Sequence, residues 1–105
     1  MRLDEIAKNL DLDIEDIKEL LELYVETTAS ELKELKIALD AKKIEEVHKR
    51  SHSIKGASGN LGIMEIYDIV KKIDDLAREN KCDGLDAMVE ELSIKFNQLV
   101  EEIKS

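Results

Sequence analysis

A histidine, a lysine and a glycine lie within five residues of one another, and their spacing is suited to chemistry. His52 is followed three residues later by Lys55 and four residues later by Gly56. On a helix, these spacings place side chains on neighbouring turns of one face. An unperturbed imidazole is largely uncharged at neutral pH and is then a competent nucleophile. His52 is therefore the candidate reactive residue.

The chemistry that this set favours is the holding of a phosphoryl group. Phosphoryl transfer depends on in-line positioning and nearby positive charge more than on a dedicated base. Lys55 can reach phosphoryl oxygens carried by His52. The sequence shows no catalytic triad, metal cage or nucleotide-binding loop. We expect the chain to carry a phosphoryl group without making one from ATP, so that it is not an enzyme by itself and a partner supplies the catalytic apparatus.

A helical wheel places His52 on the solvent side of its helix. At about 100° per residue, His52 lies about 130° from the centre of the apolar stripe and Gly56 about 170°. The other candidates lie closer to the stripe, at about 110° for Gly59, 90° for His48 and 70° for Lys55. A glycine in an exposed helix costs about 1 kcal/mol relative to alanine. We expect Gly56, Gly59 and His48 to border a docking surface, although the glycines could instead only end the helix.

Five helices are predicted to position these residues. Apolar residues recur at three- and four-residue steps over residues 1–10, 13–39, 44–61, 63–80 and 83–103. Asp11 and Asp13 both offer N-caps for the second helix, the glycines at 59 and 62 suit a left-handed C-cap, and Asn60 could cap the fourth helix. Short connections favour antiparallel neighbours. The predicted fold is all-α, an antiparallel up-down four-helix bundle with a short additional N-terminal helix, in one domain over residues 1–105.

Composition excludes several other classes of protein. Charged residues make up 39% of the chain, aromatic residues 3%, and the formal net charge is −9. This charge argues against binding to nucleic acid or to an anionic membrane. Cys82 is the single cysteine, no apolar run is long enough to span a membrane, and no signal peptide is evident. We expect a cytoplasmic monomer.

The motif around His52 resembles a known family. Residues 52–58 (His-Ser-Ile-Lys-Gly-Ala-Ser), followed by Asn-Leu-Gly at 60–62, are similar to the signature of histidine phosphotransfer (HPt) domains of two-component phosphorelays. The resemblance implies that His52 is phosphorylated, that Lys55 stabilises the phosphate and that Gly56 gives a receiver domain room to dock. It also implies that the partner is a response-regulator receiver domain or a hybrid histidine kinase. This partner brings the aspartate and Mg²⁺, so the chain is expected to need no cofactor of its own. His48 is outside this signature.

Three other interpretations remain open at this point. The motif also resembles the N-terminal phosphoryl-accepting domain of chemotaxis histidine kinases, whose own ATP-binding domain is the donor. His48 and His52 have the i, i+4 spacing of helical metal ligands. However, Lys49 stands where a metalloprotease helix carries its glutamate, and His52 is predicted to face outward, so no metal site is expected. A purely structural bundle is the third alternative.

Overall fold

The computed structural model describes residues 3–104, and their side chains from residue 6 onward. This range contains five α-helices and no strand: α1 Leu3–Leu10, α2 Ile14–Asp40, α3 Ile44–Leu61, α4 Met64–Arg78 and α5 Leu85–Lys104. Helices adjacent in sequence pack together, and contacts between α2 and α5 close the bundle. The predicted all-α four-helix bundle with an additional N-terminal helix is confirmed.

The longest helix, α2, forms one wall of the bundle. Asp13 caps it, since its carboxylate accepts a 3.0 Å hydrogen bond from the Asp16 backbone N–H. Asp11, the other candidate cap, lies two residues before this position with a left-handed φ of 56°, so its assignment as a cap is wrong. The buried side chains of α2 recur at three- and four-residue steps, namely Ile17, Leu21, Tyr24, Thr28, Leu32, Leu35 and Ala38. Its end is marked by Lys42, which has a left-handed φ of 57°. The chain can therefore reverse within residues 41–43, so that α3 lies antiparallel to α2.

The helix that carries the motif, α3, buries a narrow stripe made of Val47, Ser51, Ile54 and Ser58. It ends at Gly62, whose φ of 71° is left-handed and favours glycine, and whose N–H bonds back to the carbonyls of the last turn. The predicted left-handed C-cap is thus confirmed for Gly62 and is wrong for Gly59, which lies inside α3 without a left-handed φ. The prediction that Asn60 caps the next helix is wrong, because Asn60 still belongs to α3 and Ile63 occupies the N-cap position of α4.

Polar contacts fix the rotation of α3 about its own axis. Inside the bundle, the Tyr24 hydroxyl and Ser58 Oγ lie 2.7 Å apart in a buried hydrogen bond. At the edge, the Arg50 guanidinium donates to Glu31 of α2 at 3.1 Å. Because Ser58 must face α2, the residues on the opposite side of α3 are held towards solvent.

None of the helices within residues 3–104 is both long enough and apolar enough to cross a lipid bilayer.

Candidate functional site

The imidazole of His52 projects from the outer face of α3. Its side chain is 68% exposed, which confirms the helical-wheel prediction that it faces solvent. One turn further along, Gly56 is exposed, and a Cβ added there would meet no atom of the described chain within 4 Å. The surface below the imidazole is therefore open to an approaching molecule.

The second glycine of the motif has a different environment. A Cβ added to Gly59 would lie 3.2 Å from Cε2 and 3.3 Å from Cδ2 of the Tyr67 ring. Those distances are shorter than ordinary van der Waals contact. The missing side chain at Gly59 therefore lets α4 pack closely on α3, while a part in partner docking stays a prediction.

Beneath His52 lies a carboxylate that is completely buried. Asp74 of α4 is 0% exposed, and its two oxygens face the motif on α3. Lys55 Nζ donates to Asp74 Oδ2 at 2.8 Å, and Arg78 donates to the same oxygen at 3.3 Å. His48 Nε2 lies 3.0 Å from Asp74 Oδ1, and His52 Nδ1 lies 3.7 Å from Asp74 Oδ2. Asp74 thus connects both histidines and the lysine of α3.

The charges around Asp74 keep this carboxylate ionised. Burial by itself raises the pKa of Asp74. The hydrogen bond and the charge of Lys55 act in the opposite direction, and His48 and Arg78 add to them. The net result is a pKa of Asp74 below its ordinary value. A negative charge therefore lies 3.7 Å from the nearer nitrogen of His52.

Lys55 and His48 lie on the same flank of α3 as His52, as the helical wheel predicts, but the sequence did not predict their contacts with Asp74. Lys55 is 19% exposed and its ammonium is bound to Asp74. His48 is 38% exposed and turns its Nε2 towards the same carboxylate. The ring centroids of His48 and His52 are 6.0 Å apart, as expected for residues one turn apart on a helix. Their assigned roles in phosphate stabilisation and docking stay predictions.

Sequence reasoning missed Asp74 and Arg78. The signal for Asp74 was present, because a charged residue stands inside the apolar stripe of α4, directly after Ile73 and four residues after Val70. Carboxylates are almost never fully buried unless they are paired. An aspartate at a core position of a helix therefore indicates a cationic partner on a neighbouring helix, although the sequence does not say which one.

Comparisons with known proteins define the class of this bundle and its site. The family model described as "Hpt domain" matches residues 19–105. The chain belongs to the Hpt domain family, the histidine phosphotransfer domains of two-component signalling. A search of curated protein sequences gives no match.

A solved structure shows the same fold. It is the crystal structure of histidine-containing phosphotransfer protein B (HptB) from Pseudomonas aeruginosa PAO1, which matches with a TM-score of 0.84. The two sequences are 22% identical, and the match covers 97% of this chain and 86% of that one.

Proposed function

We propose that this chain carries a phosphoryl group on His52, accepts it from the aspartyl phosphate of one receiver domain and passes it to the aspartate of another. The observation that supports this most is the 68% exposed imidazole of His52 above the buried, ionised Asp74. The open space at Gly56 adds room for the receiver to approach. Membership of the Hpt domain family supports the same class of reaction.

The geometry favours Nε2 of His52 as the nucleophilic atom. Nδ1 is the ring nitrogen nearer to Asp74, at 3.7 Å, and a small rotation of this exposed ring would bring it to hydrogen-bond distance. A carboxylate partner at Nδ1 holds the proton there and leaves the lone pair of Nε2 pointing outward. The tautomer needed for attack is then set by a residue on α4.

The transfer itself balances without a separate base. The Nε2 lone pair attacks the phosphorus of the aspartyl phosphate, a P–N bond forms, and the P–O bond to the receiver aspartate breaks. The electron pair leaves with the aspartate, and the proton on Nδ1 of His52 stays in place. The ring becomes positively charged, and Asp74 stabilises this charge. Transfer to a second receiver is the reverse reaction, in which the neutral imidazole leaves.

Lys55 and Gly56 assist in different ways. Before transfer, the ammonium of Lys55 is hydrogen-bonded to Asp74. A change of the Lys55 rotamer would bring it to the oxygens of the phosphoryl group on His52. Gly56 leaves the receiver loops room beside the imidazole. We propose that the receiver contributes Mg²⁺ and the acidic residues that bind it, so the chain has no kinase activity, ATP site or cofactor of its own. A single domain, a cytoplasmic location and a monomeric state stay predictions.

The test is phosphoryl transfer from a phosphorylated receiver domain. Incubation with such a receiver should label this chain with an acid-labile, alkali-stable phosphate. His52→Gln should abolish the label while the helical circular dichroism stays intact, and His48→Gln should keep it. Labelling that persists in His52→Gln but disappears in His48→Gln would contradict the site. Labelling only by the ATP-binding domain of a kinase would contradict the proposed donor.

A further inference from the structure

Three potential metal ligands from two helices converge beside the outer face of α3. His48 and His52 lie one turn apart on α3, and Asp74 reaches them from α4. One ligand atom from each residue can be chosen so that all three lie within 4.8 Å of one another. Two imidazoles and a carboxylate are a common ligand set for Zn²⁺.

The carboxylate of this set has one oxygen available. Lys55 and Arg78 both donate to Oδ2 of Asp74. Oδ1 is buried and receives no hydrogen bond from the described residues unless Nε2 of His48, 3.0 Å away, carries a proton. A buried carboxylate oxygen without a donor is unfavourable, and a cation at this position would satisfy it. Because the two cationic side chains occupy the other oxygen, Oδ1 can bind a metal without displacing them.

The distances suit a small divalent ion after modest side-chain rotation. Bonds of about 2.0–2.2 Å in tetrahedral geometry place ligand atoms about 3.3 Å apart. The separation between His48 Nε2 and Asp74 Oδ1 is 3.0 Å, close to this value. The imidazole of His52 is 68% exposed and can rotate inward to complete the set. Rigid bundle helices hold the backbone positions of all three ligands.

We propose that His48, His52 and Asp74 form a binding site for a late first-row divalent metal of the Zn²⁺ class, with water as the fourth ligand. Metal binding replaces any proton on the ligating imidazole nitrogens and neutralises the unpaired oxygen of Asp74. This proposal departs from the sequence-based expectation of no metal site, which did not include the carboxylate contributed by α4. The metal is not a cofactor for transfer.

The site has a consequence that rests on the proposed function. Because His52 is both the phosphoryl acceptor and a metal ligand, a metal bound to Nε2 occupies the lone pair of that nitrogen, and a metal bound to Nδ1 leaves the single ring proton on Nε2. In either arrangement Nε2 has no free lone pair to attack an aspartyl phosphate. Occupancy of the site therefore inhibits phosphorylation of His52 reversibly.

Metal binding is tested without any phosphoryl donor. The absence of metal binding would then contradict the metal site alone and would leave the proposed phosphoryl transfer untouched. Tag-free protein is titrated with Zn²⁺ by calorimetry and with Co²⁺ by absorption spectroscopy. We expect one equivalent to bind, with the intense visible bands of four-coordinate Co²⁺. His48→Gln, His52→Gln and Asp74→Asn should each weaken Zn²⁺ binding about tenfold or more.

Asp75→Asn is the matched control, because Asp75 is the adjacent carboxylate of the same helix and contacts Arg78 rather than the histidines. It should leave affinity unchanged, as should Lys49→Gln next to His48. Equal losses in Asp74→Asn and Asp75→Asn would show only general attraction of cations to an acidic surface and would overturn the site. Absence of Zn²⁺ binding in the wild type would overturn it as well.

A second readout follows the two imidazoles directly. Diethylpyrocarbonate modifies accessible, unliganded histidines, and peptide mapping separates His48 from His52. One equivalent of Zn²⁺ should protect both residues in the wild type, and this protection should be lost in Asp74→Asn. Unchanged modification of both histidines at saturating Zn²⁺ would contradict the proposal even if the metal binds elsewhere.

Discussion

Replacement of Gly56 by alanine should make the protein more stable, and the size of the effect follows from the structure. Gly56 lies inside α3 with an ordinary helical φ, and a Cβ added there meets no atom of the described chain within 4 Å. The helix-propensity difference of about 0.8–1.0 kcal/mol should therefore appear in full in the free energy of unfolding. At about 2.1 cal/mol/K of unfolding entropy per residue, that corresponds to roughly 4 °C in Tm for a domain of this size.

Gly59→Ala is the matched control for this prediction. It carries the same propensity gain, but its Cβ would come within 3.2 Å of the Tyr67 ring and force that ring to move. We expect a smaller increase in stability than for Gly56→Ala, or a decrease. Urea and thermal denaturation followed by circular dichroism measure both variants under identical conditions.

The effect of Gly56 on phosphoryl transfer is tested with a larger side chain at this position. Gly56→Leu should also keep or raise the stability, yet it should slow phosphoryl transfer from a receiver because it fills the surface beside His52. Gly56→Ala should lie between the wild type and this variant in transfer rate. A destabilised Gly56→Ala, or a Gly56→Leu that transfers at the wild-type rate, would refute the explanation that this glycine keeps the surface open.

Three further predictions concern the side chains around the motif. Asp74→Asn removes the charge that binds Lys55 and should lower the free energy of unfolding by about 1.5–3 kcal/mol, measured by urea titration, and slow phosphorylation. Tyr24→Phe breaks the buried bond to Ser58 and should cost about 1–3 kcal/mol. Burial raises the pKa of Tyr24 above its ordinary value of 10.0, although the bond to Ser58 partly offsets this. The folded state therefore favours the neutral phenol. This stabilisation is complete below pH 10 and is lost as the pH rises through the folded-state pKa of Tyr24. Above pH 10, the wild type should therefore lose more stability than Tyr24→Phe, which has no phenol to ionise. His52→Gln should change stability by less than about 0.5 kcal/mol, because the side chain is 68% exposed.

The bundle could be predicted from the sequence because the apolar spacing and the caps that define each helix lie within that helix. Apolar spacing and the Asp13 cap define α2 within a residue at each end, and the left-handed Gly62 defines the end of α3. The exposure of His52 follows from the same periodicity, since a residue opposite the stripe of its own helix faces solvent.

The contacts between helices could not be predicted from this periodicity. The bond between Lys55 and Asp74 depends on how α4 is rotated and shifted against α3, and helical periodicity carries no information on that register. For the same reason, the sequence predicts only a docking role for Gly59 and does not reveal that its missing Cβ accommodates Tyr67 of α4. The prediction of an asparagine cap failed because α3 continues through Asn60 to Leu61.

The most direct measurement is the discharge of the phosphorylated protein. The chain is phosphorylated, separated from its donor and mapped by mass spectrometry under alkaline conditions, then mixed with a second, unphosphorylated receiver and Mg²⁺. We expect the phosphoryl group to be on His52, to leave it on mixing, and to appear on the receiver as an alkali-labile acyl phosphate. A phosphoryl group on another residue, or one that leaves His52 only as inorganic phosphate at the rate seen without receiver, would contradict the proposed function.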